Sequence, residues 1–254
     1  IIKVQSVFVK TIENENVIYL RISSFDAKVT EDLEKIIVEN KNAKGFILDL
    51  RNNPGGLLNQ AIGTVNLFVD KGVIVSQKGR TAEDEEKFEA VSSNMRTKAP
   101  LVVLVNEGSA SASEIVSGAL QDHKRAVIIG EKTFGKGSVQ AVLPIDNEKT
   151  ESIKLTIAKY YLPSGRTIQA VGVTPDVVVA SGKVTQNDDN GVKLKEADLK
   201  KHLQGELEKV NDAKKEEKIL NNETKKVITS DDLLDDNQLN TSLAILKSLI
   251  IMNK

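Results

Sequence analysis

Hydrophobic residues in this chain form short aliphatic runs that alternate with amphipathic segments. The runs at 46–48, 101–105 and 126–129 have the length and composition of strands buried on both faces of a sheet. Apolar residues at helical spacing follow the first two runs, over 57–69 and 114–122. This alternation predicts an α/β fold whose parallel strands are joined by right-handed crossovers.

The flanking segments predict further elements of the same core. An early helix is predicted over 30–40, and strands are predicted at 4–9, 17–22, 139–145, 152–161 and 174–179. Two of these strands are separated by the polar turn 13–16, and two by the turn 146–148. We therefore assign residues 1–180 to one core.

Composition changes near Ser181, and the polar, turn-rich stretch 186–191 marks a boundary. Beyond it, apolar residues recur at helical spacing from Lys195, and 239–252 forms a terminal helix with a strongly apolar face. We predict a mostly helical C-terminal region over 181–254. Such a face packs either on the core or on a second subunit, and we expect it to serve dimerisation or oligomerisation.

Three loops follow the three aliphatic runs and carry the candidate chemistry. Their sequences are DLRNNPGG at 49–56, GSASASE at 108–114 and FGKG at 134–137. Loops at the carboxyl ends of parallel strands emerge at one edge of the sheet, where open α/β sheets bind ligands.

A serine and a lysine, 25 residues apart, are the candidate catalytic pair. Ser111 lies in a loop of small residues that opens a helix, whose N-terminal field favours a developing oxyanion. Lys136 is flanked by Gly135 and Gly137, and Gln140 is positioned to accept a hydrogen bond from its amine. Nucleophile, base and orienting residue together are typical of covalent acyl-transfer catalysts. A free lysine is charged at neutral pH, so a lysine base needs a buried environment.

Two rival sites fit less well. A phosphate-binding loop needs Gly-Lys followed directly by Ser or Thr, whereas Gly137 follows Lys136. A Ser-His-Asp triad would have to use His123 or His202. His123 lies at the far end of the helix after Ser111, where a capping or surface role is expected, and His202 lies in the C-terminal region.

Composition excludes other classes. Lysine and arginine total 35 against 36 acidic residues, a net charge of −1, so no basic surface favours nucleic acid. The chain has no cysteine, which excludes thiol catalysis and disulfides. No residue cluster has metal-ligand spacing, and we predict neither a metal nor a cofactor. The longest apolar runs fall short of the roughly 20 residues that a membrane helix needs.

Five motifs, in this order along the chain, resemble those of the carboxyl-terminal processing (tail-specific) proteases of bacteria and chloroplasts. They lie at 49–56, 108–114, 118–122, 130–137 and 160–166. The resemblance implies that Ser111 is the nucleophile, Lys136 the general base and Gln140 the residue that orients the lysine. It also implies an oxyanion hole formed by the backbone N–H groups of Gly56 and Ala112, on a peptidase core of the ClpP/crotonase superfamily.

The same resemblance implies a serine endopeptidase that cleaves or degrades proteins from or near their C-termini through an acyl-enzyme. Its expected partners are protein substrates with accessible C-termini, other copies of the chain, and an activator or adaptor protein. Its expected location is the bacterial periplasm or cell envelope. Members usually carry a PDZ domain, and Ile1 lies where the core resumes after it, so we expect that domain to be absent from these residues.

Two other functions remain open. One is a catalytically inactive or resting crotonase-like module that binds protein tails, although the joint presence of Ser111, Lys136 and Gln140 argues against it. The other is an acyl-thioester enzyme of crotonase type, which uses an oxyanion hole but needs no serine–lysine pair.

Overall fold

The computed structural model describes residues 5–145, 151–184 and 226–253. Eleven strands and five α-helices lie in these ranges. In chain order they are β1 (Val7–Ile12), β2 (Val17–Ile22), α1 (Val29–Glu39), β3 (Gly45–Asp49), α2 (Leu58–Asn66), β4 (Val73–Lys78), β5 (Glu85–Glu89), β6 (Leu101–Val105), α3 (Ala112–Asp122), β7 (Val127–Gly130), β8 (Ser138–Pro144), β9 (Ser152–Tyr161), β10 (Val177–Val178), β11 (Val227–Ile228), α4 (Ser230–Leu234) and α5 (Asn237–Met252).

The main sheet has seven strands, in the order β10-β7-β6-β3-β2-β1-β11. Strands β2, β3, β6 and β7 and the edge strand β10 are parallel to one another, as the aliphatic runs predict, whereas β1 is antiparallel to β2. Asp49 pairs with Leu104, and Val105 pairs with Gly130, so three neighbouring strands end at the same level. The prediction that the three loops meet at one edge is confirmed.

Helices α1, α2 and α3 cover one face of the main sheet. Aliphatic side chains of the central strands, such as Leu48, Val103 and Ile128, are fully buried there against residues such as Leu33 and Val116. The strands are buried on both faces, which explains why they appear in the sequence as continuous apolar runs rather than alternating ones.

Helix α5 covers the opposite face. Ile47, Val102 and Leu104 of the sheet form a second buried cluster with Leu243 and Leu246 of this helix. The approach is close, since a Cβ built on Gly45 would lie 2.9 Å from Leu246 Cδ1. The apolar face of the terminal helix thus packs on the core of its own chain, and strand β11 joins the sheet beside β1.

A second, antiparallel sheet has the order β5-β4-β9-β8. The sequence predicts β8 and β9 to within a residue or two, but it does not predict β4 and β5. Tyr160 of β9 and Val75 of β4 are buried in the same cluster as α2 and α3, so this sheet packs beside the helical layer. Strand β8 lies at its edge and begins two residues after Lys136.

The remaining boundaries differ little from expectation. The first predicted strand lies over 7–12 rather than 4–9, and the last predicted strand shortens to 177–178. The turn 146–148, the boundary at 186–191 and the helical spacing that starts at Lys195 lie outside the described residues. Among the helices that the structure does describe, none is long and apolar enough to cross a membrane.

Candidate active site

Ser111 lies in the turn that connects β6 to α3, immediately before the first residue of the helix. Its backbone has φ 56° and ψ −112°, a left-handed conformation that is uncommon outside glycine. Strained backbone of this kind costs about 1–3 kcal/mol and persists only where surrounding contacts fix it. The strain makes Ser111 a functional candidate independently of its sequence motif.

Hydrogen bonds join the serine turn to the loop that follows β3. The Ala110 N–H donates to the carbonyl of Asn53 at 3.0 Å, and the Ser113 hydroxyl donates to the same carbonyl at 2.9 Å. The hydroxyl of Ser109 donates to the carbonyl of Leu50 at 2.8 Å. Ser109 and Ser113 are fully buried and therefore serve packing, as small residues in such a turn usually do.

Gly55 lets this loop lie directly against Ser111. It has φ 102°, and a Cβ built on it would lie 2.8 Å from Ser111 Cβ and 3.0 Å from the Ala112 nitrogen. A residue with a side chain would therefore separate the two loops, so glycine is required for both its backbone conformation and its small size.

The N–H of Gly56 faces away from the hydrogen-bonded neighbours of its loop. A parallel bridge links Gly56 to Phe25, in which Phe25 N donates to Gly55 O and Leu57 N donates to Phe25 O. The N–H and the C=O of Gly56 itself take no part in that bridge, so they point away from Phe25. The other N–H groups of the loop all donate within the described structure, namely those of Leu50, Arg51, Asn52, Asn53, Gly55 and Leu57.

Ala112 supplies a second N–H without an acceptor among the described residues. As the first residue of α3 it has no intrahelical carbonyl to bond, so its donor faces the open end of the helix. Two N–H groups that have no acceptor in the described part of the chain, one on each side of the Gly55–Ser111 contact, are the arrangement that an oxyanion hole needs. Their predicted role stays a prediction.

Glu114 connects the serine turn to the lysine loop. Its fully buried carboxylate accepts the N–H of Ser111 at 2.9 Å, the N–H of Lys136 at 2.8 Å and the N–H of Gly135 at 2.7 Å. The hydroxyl of Thr133 donates to the same carboxylate. One side chain therefore fixes the backbones of both members of the candidate catalytic pair.

The lysine loop is fixed mainly through its backbone. Gly137 donates to the side-chain oxygen of Gln169 at 3.0 Å, and its carbonyl accepts the N–H of Tyr160 at 2.8 Å. The Lys136 side chain is half-buried, and no hydrogen bond joins its amine to another described residue. Phe134 of the same loop is 70% exposed, so its ring does not shield the Lys136 side chain from water by being buried.

Gln140 lies on β8, opposite Thr156 of β9, and its side chain is exposed. In the part of the chain that the structure describes, its amide makes no hydrogen bond to Lys136. The structure thus brings the backbones of Ser111 and Lys136 together, and the orienting role of Gln140 stays a prediction.

The residues set aside by sequence lie away from this site. The His123 ring nitrogen Nε2 lies 2.7 Å from the carbonyl oxygen of Val73, at the C-terminal end of α3. The 11 residues of this helix separate His123 from Ser111, so the two lie about 18 Å apart along its axis. His202 falls outside the described residues. Within the described ranges, no cluster of three or more histidine, aspartate or glutamate side chains could hold a metal.

Glu114 and Thr133 lie within two of the sequence motifs, but the motifs do not predict a role for either residue. For Glu114 a local signal exists, because a serine followed three residues later by glutamate is the pattern of a helix capping box. The contacts of Glu114 with Gly135 and Lys136 have no such local signal.

Comparison with known proteins places this chain in a family. Residues 16–179 match peptidase family S41, and the chain belongs to that family. The chain is 45% identical over 196 residues to a carboxy-terminal-processing protease of Bartonella bacilliformis. It is 42% identical over 178 residues to the carboxy-terminal processing protease CtpA of Bacillus subtilis.

These matches cover 75% and 69% of this chain but only 45% and 37% of the two relatives. Among solved structures, the photosystem II D1 C-terminal processing protease superposes with a TM-score of 0.61 at 32% identity. That match covers 70% of this chain and 49% of the other. The mixed α/β architecture is therefore that of S41 peptidases, and the chain spans less than half the length of these relatives.

Proposed function

We propose that this chain is the peptidase core of a serine endopeptidase that cleaves proteins at or near their C-termini. The observation that carries the proposal is the Glu114 carboxylate, which holds the backbones of Ser111 and Lys136 on one buried group. The named activities of the relatives from Bartonella and Bacillus support the same reading. The layered sheet, with the oxyanion donors beside a helix N-terminus, agrees with membership of the ClpP/crotonase superfamily.

In the proposed acylation step, the Ser111 hydroxyl oxygen attacks the carbonyl carbon of the scissile peptide bond. Lys136 enters as the neutral amine and takes the hydroxyl proton. The carbonyl oxygen becomes an oxyanion and accepts hydrogen bonds from the N–H groups of Gly56 and Ala112. The C–N bond then breaks, and the Lys136 ammonium returns the proton to the leaving amine.

Deacylation repeats this sequence with water. Lys136 takes a proton from a water molecule whose oxygen attacks the ester carbonyl on Ser111. The same two N–H groups hold the second oxyanion, the C–O bond to serine breaks, and the proton returns to the Ser111 oxygen. The acyl part of the substrate leaves with a new carboxyl terminus.

The edge of β8 is the proposed site for the extended substrate chain. Ile145 N donates to Glu151 O, and antiparallel pairing alternates from there, so Gln140 directs its backbone groups away from β9. A substrate strand that pairs with this edge would lie beside Lys136 and gain affinity from backbone hydrogen bonds. Pro144 lacks an N–H and limits the length of the ladder.

The test is cleavage of an unstructured protein such as casein by the chain and by its Ser111→Ala and Lys136→Ala variants. Lys132→Ala is the matched control, because Lys132 is an exposed lysine of the same loop. We expect Ser111→Ala and Lys136→Ala to lose activity while Lys132→Ala keeps it. Activity retained in Ser111→Ala would refute the proposal, and casein binding without cleavage in the unsubstituted chain would favour a tail-binding module.

Self-association through the C-terminal region and a location in the bacterial cell envelope are further parts of the proposal. Deleting 237–254 would uncover the sheet face beneath α5, so a milder change is preferable. Ile251 and Met252 are 68% and 82% exposed at the end of α5. Replacing both with serine is expected to lower the mass measured by light scattering, and an unchanged oligomeric mass would exclude this surface as the interface.

A further inference from the structure

A charged cluster ties the loop after β3 to the start of α5. Arg51 forms a fork with Asp49, from Nη2 to Oδ2 at 2.6 Å and from Nε to Oδ1 at 3.0 Å. The far side of the same guanidinium forms a second fork with Asp236, at 2.9 Å from Nη1 and 2.8 Å from Nη2. Two bidentate pairs on one arginine fix its plane and position.

Buried polar groups at the end of β3 fix the position of this cluster. Asp49 is fully buried at the end of β3 and accepts the hydroxyl of Tyr19 at 2.7 Å. Burial opposes the charge of Arg51, but the two carboxylates outweigh it and raise the pKa of Arg51 above its usual range. The side chain of Arg51 is 13% exposed and that of Asp236 is 30% exposed, so water screens this pair less than an exposed surface pair.

Gln238 extends the connection to the lysine side of the site. Its side-chain oxygen accepts from Arg51 Nη1 at 3.1 Å, and its side-chain nitrogen donates to the carbonyl of Val179 at 2.8 Å. Val179 N in turn donates to the carbonyl of Gly130, the last residue of β7, after which the lysine loop begins. The first turn of α5 therefore contacts the start of the loop 50–56, at Arg51, and, through Val179, the start of the lysine loop.

We infer that Asp236 and Gln238 are positioning residues, which set the loop 50–56, and with it the N–H of Gly56, through Arg51. The inference rests on the proposed function in giving the Gly56 N–H a catalytic role. The C-terminal segment lies outside the family match at 16–179, so this chain supplies part of its active-site support from a region that the match does not cover.

A simpler role for Asp236 is to cap α5, because its side chain also accepts the N–H of Leu239 at 3.0 Å. The two roles separate in Asp236→Asn. Asparagine caps a helix about as well as aspartate, but it has no negative charge and only one of the two oxygens to which Arg51 donates. The matched control is Asp235→Asn, since the neighbouring Asp235 forms an exposed pair with Lys183 and no ion pair with Arg51.

The experiment compares Asp236→Asn, Arg51→Lys, their double variant and Asp235→Asn in the full chain. Two quantities are measured: hydrogen exchange of the peptide that covers 50–57, and the rate at which a fluorophosphonate probe labels Ser111. We expect loop exchange on the order of tenfold faster in Asp236→Asn. We expect labelling to be about 10- to 100-fold slower, because small misplacements of a catalytic donor have large effects on rate.

The double variant distinguishes positioning from independent damage. If Asp236 acts only through Arg51, the double variant will label no more slowly than Arg51→Lys alone, because coupled changes are not additive. The inference would be overturned if Asp236→Asn had the same loop exchange and the same labelling rate as Asp235→Asn, whether both variants behave like the unsubstituted chain or both are impaired. If the unsubstituted chain fails to label, the proposed function fails, while the exchange measurement still decides whether Asp236 holds the loop.

Discussion

The replacement Glu114→Gln tests the central contact of the site. Among the described residues, the carboxylate of Glu114 receives four donors: Oε2 takes the N–H groups of Ser111 and Lys136, and Oε1 takes the N–H of Gly135 and the hydroxyl of Thr133. Glutamine has nearly the same shape but offers one oxygen and one NH₂ group. Whichever way the amide is turned, its NH₂ group faces at least one donor.

The cost follows from which donors can adapt. With the NH₂ group toward Thr133, the hydroxyl can rotate to accept, but the backbone N–H of Gly135 is left unpaired and buried. In the opposite orientation the N–H groups of both Ser111 and Lys136 are left without an acceptor. One unpaired buried donor costs about 1–3 kcal/mol, and the remaining bonds weaken when the acceptor loses its charge. We therefore expect a loss of about 2–4 kcal/mol from a total stability of about 5–15 kcal/mol.

Denaturant unfolding and fluorophosphonate labelling of Ser111 measure the two consequences. Glu107→Gln is the matched control, because Glu107 is an exposed glutamate in the same loop. We expect Glu114→Gln to remain folded but less stable, with labelling at least tenfold slower, and Glu107→Gln to match the unsubstituted chain. A Glu114→Gln variant within about 0.5 kcal/mol of that chain, or one labelled at its rate, would refute the reasoning, because surface substitutions have effects of that size.

Three further predictions follow from the same geometry. Gly55→Ala is expected to destabilise the fold by more than about 2 kcal/mol and to abolish labelling of Ser111. The control is Gly165→Ala, because Gly165 has φ 83° and a Cβ built on it would have no atom within 4 Å. Thermal unfolding is expected to show a loss of only about 1 kcal/mol in this control, from backbone strain alone. Ser111→Gly is expected to be about 1 kcal/mol more stable than Ser111→Ala, because glycine adopts φ 56° without strain; equal melting temperatures would show that the turn is unstrained. Burial and the neighbouring Asp49 raise the pKa of Tyr19 in the folded protein above its usual range. Above a pH of about 10 the phenol therefore ionises in the unfolded chain but not in the folded protein, so the stability of the fold falls as the pH rises further. Stability measured across pH 8 to about 11 is expected to fall less steeply in Tyr19→Phe than in the unsubstituted chain, and parallel curves would contradict this.

The sequence predicts that the three candidate loops meet at one edge of the sheet because two rules suffice. Continuous aliphatic runs predict strands that are buried on both faces, and the handedness of crossovers then sets the ends of parallel strands at one edge. The hairpin of β4 and β5 escaped prediction because β5, Glu85–Glu89, has three exposed glutamates and no alternating apolar pattern. Its strand conformation comes from pairing with β4, which a local pattern does not encode.

Contacts between distant segments account for what the sequence missed in the site. Arg51 and Asp236 are 185 residues apart, and Glu114 lies 22 residues before Lys136. Motif spacing predicts the residue types of the candidate catalytic pair, but it does not indicate which buried carboxylate will accept the backbone N–H of Lys136. The exposed position of Gln140 likewise depends on the twist and pairing of β8 rather than on its spacing from Lys136.

The two members of the candidate pair differ in how firmly they are held. Ser111 is fixed in a strained backbone conformation by hydrogen bonds on both sides of its turn, each contributing about 1 kcal/mol, enough together to offset the strain. Lys136 has a fixed backbone, but its amine makes no hydrogen bond within the described residues, and its side chain has four rotatable bonds. The proposed nucleophile and the proposed oxyanion donors are therefore preorganised, while the side chain of the proposed base can change its position. A substrate strand or an activator that changes catalysis should then act on the Lys136 side chain and on β8 beside it, rather than on the serine turn.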